Sequence, residues 1–270
     1  MPSYSCVMSL NTPIALGSTA EIYTWKEDQV LKLFNSGISC GTVEHEAWLT
    51  RLAHATGLPV PEVGEIIEIA GRYGLEYERV DGITMLQALY KKPWLAATFA
   101  RQLAELQAKA HKISMPEMPS QHEQLERKIN QASQLTGDLR QAALSALEQL
   151  PQEDKLCHGD FHPNNIVLTP PGPVIIDWID ATRGLPLADV ARSTLLFGGG
   201  PLPKGVPWWV SFVRGWFYRV YIRSYTKLNP MDKRKLPTWV GVCAAARLAE
   251  NTRYDEPWLL ALARTLAQGE

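Results

Sequence analysis

The stretch CHGDFHPNNIVLTPPGPVIIDWID, Cys157 to Asp180, constrains the chain more than any other. It places Asp160 and Asn165 in a D-x-x-x-x-N pattern. Two short apolar runs follow, Ile166-Val167-Leu168 and Val174-Ile175-Ile176, on either side of the turn Thr169-Pro170-Pro171-Gly172. That is a β-hairpin signal. With the turn centred near Pro171, Asn165 and Asp177 fall opposite each other at the open end, and Asp160 lies on the loop before them. Two carboxylates and a carboxamide are expected to converge. Such an all-oxygen cluster suits a hard cation like Mg²⁺, which takes one or two protein oxygens plus substrate phosphates. The third group is left free to act as a base.

This division of labour resembles the kinase catalytic loop, where an Asp accepts the proton of the substrate hydroxyl, an Asn binds metal and a second Asp, beyond a hairpin, bridges metal to phosphates. Here the loop reads HGD rather than HRD, and Trp178-Ile179 follows Asp177 in place of Phe-Gly. With that spelling the stretch resembles the aminoglycoside phosphotransferase and choline kinase branch of the protein-kinase-like superfamily. The resemblance implies an α+β, two-lobed fold. A small antiparallel β lobe with one helix, residues 1–81, would bind nucleotide, and a larger, mostly helical lobe, residues 82–270, would carry catalysis and the acceptor. It further implies Asp160 as catalytic base, Asn165 and Asp177 as ligands of Mg²⁺, and ATP or GTP as co-substrate. His158 would orient the loop, with His162 a neighbour of the base. Asp189, early in the next helix, would brace the loop from behind, although Leu185 stands where family members often have Asp.

Upstream, three strand-like runs cover Thr12 to Leu16, Ala20 to Trp25 and Gln29 to Phe34. Gly17-Ser18-Thr19 lies between the first two and, under the resemblance, is the phosphate loop, acting through backbone N–H groups. Lys32 alternates with Val30 and Phe34 and so points to their face, where its charge is costly unless paired. In kinases the partners are the α/β-phosphates and a glutamate from the next helix. The amphipathic segment Thr42 to Ala53 offers Glu44, on the face of Trp48, and Glu46, on the face of Leu49 and Ala53; Glu46 is the choice, and the family's Glu-Ala pattern agrees. After two more strands, Glu65 to Ala70 and Tyr73 to Glu78, the stretch Glu78-Arg79-Val80-Asp81-Gly82 resembles an inter-lobe hinge. By that resemblance the backbone of Glu78 and Val80 would bind adenine.

Periodicity then predicts helices over Trp94 to Ile113, Gln121 to Leu135 and Asp138 to Leu150. His111 falls near a helix end, as a core or helix-dipole residue. Trp208, Trp209, Trp216, Phe217, Tyr218, Tyr221 and Tyr225 follow at helical spacing and read mainly as core. A sharper expectation puts one or two of them in an acceptor pocket with Asp180, Glu250, Asp255 or Glu256, receiving a cationic amine. Arg183 reads as an acceptor contact or an ion-pair partner.

Two other readings use the same residues. A catalytically silent nucleotide binder would have no need of the base at Asp160. A metallohydrolase would use His158, Asp160, His162 and Asp177 as a mixed nitrogen and oxygen set, but that leaves Asn165 without a role. The net charge of −1 gives no general attraction to nucleic acid. Cys6, Cys40, Cys157 and Cys243 lack metal or disulfide spacing and are consistent with a reducing cytoplasm. No apolar run is long enough for a membrane span, and neither a membrane nor a nucleic-acid partner is expected. The acceptor stays open among aminoglycosides, amino alcohols and other hydroxylated metabolites, and the sequence assigns no oligomeric state.

Overall fold

A computed structural model describes residues 12–17, 19–202, 205–250 and 255–267. They form two compact units. One comprises the described residues up to Gly82 together with Thr169–Ile179; the other comprises Ile83–Leu168 and the described residues from Asp180 onward.

The first unit is built on β1 (Ala15–Leu16), β2 (Ala20–Thr24), β3 (Gln29–Phe34), β4 (Val63–Ile69) and β5 (Arg72–Glu78), with α1 (Cys40–Ala55) between β3 and β4. The strands make an antiparallel sheet in the order β1-β2-β3-β5-β4, with Lys32 opposite Ile22 on one side and Leu75 on the other. Strand alternation divides the burial. Leu31 and Leu33 cluster with Tyr23, while Phe34 and Leu75 cluster with Val43 and Ala47 of α1. Lys32 has the parity of Phe34, so the fold turns it toward α1. The helix starts where Ser39 accepts the Thr42 N–H, a side-chain cap for an otherwise unpaired donor. The segment Thr169–Ile179, with β9 (Gly172–Ile175), is tied to this unit by the Ile175 N–H on the Pro59 carbonyl and by Lys32 donating to Asp177.

In the second unit the elements run β6 (Ile83–Thr84), α2 (Met85–Lys91), α3 (Ala96–Ala110), α4 (Gln121–Gln131), α5 (Gly137–Glu148), β7 (Lys155–Cys157), β8 (Ile166–Thr169), β10 (Thr182–Gly184), α6 (Pro186–Ser193), α7 (Trp208–Leu228), α8 (Leu236–Arg247) and α9 (Glu256–Arg264). Helix α3 packs along α7. Helices α4, α5, α6, α8 and α9 enclose a large core that includes Ile129, Leu147, Trp239, Val242 and Leu259. At about 1.5–3 kcal/mol for each large apolar side chain fully buried, this core contributes substantially to the unit's stability. β6 pairs with β8 and β7 with β10, both antiparallel. These two ladders hold the ends of the loop that carries Asp160.

The predicted helix at Trp94 to Ile113 is shorter: Pro93–Leu95 forms a 3₁₀ turn, and α3 ends with His111 as its cap. The first strand is likewise confined to Ala15–Leu16. Helix α2 was not anticipated, although Thr84 and Gln87 spell its capping box and make both reciprocal hydrogen bonds. No helix among the described residues is long and apolar enough to cross a membrane.

Candidate active site

Gly159 shapes the loop that presents Asp160. Its φ is +78°, and a Cβ there would collide with the Asp180 carbonyl. Both conditions require glycine, which is the local reason for HGD in place of HRD. The Asp160 N–H donates to His158 Nδ1 (3.2 Å). Its carboxylate Oδ2 accepts from His162 Nε2 (3.1 Å) and Asn165 Nδ2 (3.1 Å), and Arg192 Nη2 stands 3.6 Å from Oδ1. His162 Nδ1 accepts from the Asn164 N–H, which assigns the proton to Nε2 and directs it at Asp160. Burial alone would raise the Asp160 carboxyl pKa. The hydrogen bond from His162 and the nearby Arg192 guanidinium outweigh it and hold the group well below the usual carboxylate range.

Asn165 spends its amide N–H groups on the Asp160 carbonyl (3.0 Å) and carboxylate, and no hydrogen bond among the described residues falls on its Oδ1. Behind the loop, Asp189 is fully buried. Its Oδ1 accepts from the Gly159 N–H (2.8 Å), and its Oδ2 from Gln107 (2.9 Å), His111 (3.0 Å) and the His158 N–H (3.4 Å). His111 continues to the Tyr225 hydroxyl, and Gln107 accepts from the Tyr221 hydroxyl. The brace therefore runs from the HGD loop through α6 and α3 to α7. Against the opposing effect of burial, His111, Gln107 and the Gly159 N–H lower the Asp189 pKa to about 2.

The first unit holds the other charged group. Lys32 Nζ donates to Glu46 Oε1 (2.6 Å) and Asp177 Oδ1 (3.0 Å), and Tyr77 donates to Glu46 Oε1 (2.7 Å). Burial works against the ammonium, but the two carboxylates more than compensate and raise its pKa. Glu44 is exposed and takes no part in the cluster. Asp177 adopts a left-handed φ of +67°, a conformation that costs of order 1 kcal/mol and is characteristic of functional positions. Its second oxygen has no partner among the described residues. The free oxygen of Asn165 and that of Asp177 are each, by themselves, the kind of hard donor that Mg²⁺ prefers. Among the described residues no group of three or more His, Cys, Asp or Glu is arranged to hold a metal. The loop geometry instead engages His158 and His162 in hydrogen bonds to Asp160.

The remaining expected site residues are more dispersed. Gly17 closes a turn through its N–H on the Ala20 carbonyl, Thr19 accepts from the Asn35 N–H, and Ser18 lies outside the described residues. The Glu78 N–H is used by the Glu62 carbonyl, leaving only its own carbonyl for a ligand, whereas the Val80 N–H makes no hydrogen bond among the described residues. Asp180 accepts from Lys128 (3.1 Å), and Glu250 accepts from Lys128 (3.2 Å) and twice from Arg192 (2.8 and 2.9 Å). Neither carboxylate is left over for an external amine. Arg183 has no carboxylate partner among the described residues; its N–H bonds the Pro119 carbonyl. The aromatic expectation needs correction. Phe217, Tyr221 and Tyr225 are buried, but Trp208 is 84% and Trp216 50% exposed. Helical spacing cannot tell the two faces apart when both are aromatic. Arg192, which sequence reasoning passed over, is the side chain that joins the Asp160 loop to Glu250. Its position three residues after Asp189, on the same face of α6, was the available signal.

The sequence model of the phosphotransferase enzyme family matches residues 12–219. No curated protein sequence matches the chain. Among solved structures, a thermostable aminoglycoside phosphotransferase APH(4)-Ia in ternary complex with AMP-PNP and hygromycin B superposes with a TM-score of 0.65 at 15% identity, over 98% of this chain and 95% of that one. A choline/ethanolamine kinase family protein from Mesorhizobium loti gives 0.59 at 17%, over 98% and 88%. A putative fructosamine-3-kinase from Haemophilus somnus gives 0.63 at 15%, over 95% and 89%. All three share the protein-kinase-like fold, a β sheet region followed by a helical one.

Proposed function

The chain belongs to the phosphotransferase enzyme family, and from that premise we propose that it moves the γ-phosphoryl group of ATP, or of GTP, onto a hydroxyl of a small molecule. The observation that carries this reading is the Asp160 carboxylate, held ionised by His162, Asn165 and Arg192 at the end of a braced loop. In the transfer the acceptor oxygen bonds to the γ-phosphorus, the bond from that phosphorus to the β–γ bridging oxygen breaks, and ADP departs. The hydroxyl proton passes to Asp160. A carboxylate of such low basicity serves chiefly to orient the hydroxyl and takes the proton late, which suits a loose phosphoryl transition state.

Lys32, oriented by Glu46, would neutralise the α/β-phosphates. The Gly17–Thr19 turn would cover them, and the Glu78 carbonyl and Val80 N–H would receive adenine. Asn165 and Asp177 would hold Mg²⁺, which supplies charge neutralisation on the phosphates. His158 and Asp189 keep the loop in place. On this reading residues 1–81 are the nucleotide lobe and 82–270 the catalytic lobe, with Thr169–Ile179 packed into the former. The family resemblance supports ATP as donor, and the three related structures support a hydroxylated acceptor.

The Asp160→Asn variant tests the proposal. The rate of phosphoryl transfer should fall by about 10²–10⁴-fold, while the Mg²⁺-dependent rise in melting temperature given by ATP stays within a degree or two of the parent's. Transfer at the parental rate removes Asp160 from the chemistry. If neither MgATP nor MgGTP shifts the melting temperature of the parent protein, the phosphotransferase reading itself fails.

A further inference from the structure

Helix α7 has two apolar faces, and only one of them is covered. Phe217, Tyr221 and Tyr225 are buried. On the other side Trp208, Phe212, Trp216, Arg219, Arg223 and Lys227 recur every three or four residues, and all six are exposed, Phe212 by 73%. Positions so spaced share one helix face, and at 1.5 Å per residue the stripe runs for about 29 Å, aromatic in its first half and cationic in its second. Helix α2 extends the aromatic end: Tyr90, 53% exposed, meets Trp209 edge to face with ring centroids 6.5 Å apart, and Leu86, one turn before Tyr90, is exposed as well. Exposed Lys91 and Lys92 follow directly. Exposed apolar side chains are ordinary when scattered singly, whereas a contiguous group of large ones marks a binding surface. The charge is equally one-sided. Helix α7 holds four Lys or Arg and no Asp or Glu; with α3, which packs along it, and α2 the count becomes seven against one, Glu105, in a chain whose net charge is −1. Arg219, Arg223 and Lys227 make no ion pair with a carboxylate among the described residues.

We propose that this face of α7 and α2 docks on a membrane surface that bears anionic lipids. Tryptophan and tyrosine settle at the level of the lipid headgroups, where one end of the ring is dry and the other wet. A helix lying in that plane buries its aromatic residues at the headgroup boundary, while long Lys and Arg side chains reach the lipid phosphates. Unpaired cations on both sides of the aromatic group suit a negative surface. The expectation of no membrane partner rested on the lack of a spanning run, and a helix that lies in the interface needs none. A second copy of the chain is the poorer occupant. Two such faces packed together would set cationic stripes against each other with no carboxylate of α7 to meet them, and like charges brought together across an interface are costly. Neither nucleotide nor phosphate acceptor takes part in this docking, so it holds or fails apart from the phosphotransferase reading.

Co-sedimentation of the intact protein with two kinds of vesicle tests the proposal, one of phosphatidylcholine alone and one containing about 30% phosphatidylglycerol. The anionic vesicles should bind the protein about tenfold or more tightly than the neutral ones, and raising the salt from about 0.05 to 0.5 M should remove most of that preference. Trp208→Ser combined with Phe212→Ser should weaken binding to the anionic vesicles about tenfold or more. Both positions are exposed, so the melting temperature should stay within a degree or two of the parent's. Arg219→Gln with Arg223→Gln should cost about tenfold on the anionic vesicles and change nothing on the neutral ones. Arg127→Gln with Arg264→Gln removes the same charge from exposed positions on α4 and α9 and should leave binding within about twofold. Vesicle binding that is absent, or equal for both compositions, overturns the proposal, and so does binding unchanged in the Trp208 and Phe212 double variant. Poly-L-glutamate bound as tightly as the anionic vesicles would assign the face to an acidic polypeptide instead. A concentration-dependent dimer in sedimentation velocity, lost in the double variant and accompanied by no vesicle binding, would assign it to a second copy.

Discussion

Asp189 spends both carboxylate oxygens on four donors inside the protein, whereas Asp177 gives one oxygen to Lys32 and keeps its side chain 41% exposed. The cluster around Asp189 is closed. His111, Gln107 and Ser193 are each bonded onward, to Tyr225, Tyr221 and Phe161. The cluster around Lys32 is open: one ammonium serves two carboxylates, Glu46 Oε2 is buried without a partner among the described residues, and Asp177 sits in a strained backbone conformation. A fully satisfied buried network rigidifies its surroundings, and a partly satisfied one stores free energy that a ligand can recover. On the proposed function, the difference separates a shape-keeping aspartate, Asp189, from a ligand-holding one, Asp177.

The largest break in that comparison is Asp189→Ala. It strips four donors of their acceptor in a dry site and should destabilise the protein by about 3–5 kcal/mol. For a chain of this size that lowers the melting temperature by roughly 10 °C or more. Lys32→Met is its counterpart. We expect MgATP affinity to fall about 100-fold, because a charge on the phosphates is lost, with a melting temperature reduced by less than half as much as in Asp189→Ala. Thermal melts of both variants, with and without MgATP, decide the matter. Equal destabilisation would show that the Lys32 cluster is also structural.

A pH titration sharpens the same contrast. The folded pKa of Asp189, about 2, lies below the ordinary aspartate value near 4. The unfolded chain therefore binds the extra proton first as pH falls. The stabilisation is complete above about pH 4 and is lost as the pH drops through the folded pKa near 2, an effect of about 2 kcal/mol. Urea unfolding between pH 5 and 2 should show this loss in the parent protein. Asp189→Asn should flatten the profile by that amount, and an unchanged slope would detach Asp189 from acid stability.

Much of this could be read from the residues. D-x-x-x-x-N, the apolar runs and the Pro-Pro-Gly turn located the Asp160 loop. Strand parity turned Lys32 toward α1, and helix parity chose Glu46 over Glu44. Parity carries that far because it follows from backbone geometry alone. It does not say which residues meet across the fold. Glu250 and Asp180 read as free carboxylates since nothing local shows that Lys128 and Arg192, 122 and 58 residues away from Glu250, arrive to neutralise them. Helix α7 failed for a different reason. It is aromatic on two faces, with Trp208 and Phe212 outside and Phe217 and Tyr221 inside, so hydrophobic periodicity carries no phase.

The smallest expected effect on stability is the most discriminating. At φ +67°, Asp177 bears a conformational cost that glycine does not. Asp177→Gly relieves that strain but loosens the unfolded chain and removes one of the two partners of Lys32. Each contribution is of order 1 kcal/mol or less and they differ in sign, so the net change should lie within about 1 kcal/mol of zero. Glu46 still pairs the ammonium at 2.6 Å, which keeps the lysine from being stranded. Mg²⁺-dependent nucleotide binding should nevertheless disappear, since the hard oxygen donor is gone. A stable Asp177→Gly protein that no longer responds to MgATP, set beside an unstable Asp189→Ala protein, would separate the two aspartates by function. If Asp177→Gly instead unfolds the protein, or binds MgATP with parental affinity, the open cluster is part of the scaffold and the ligand site lies elsewhere.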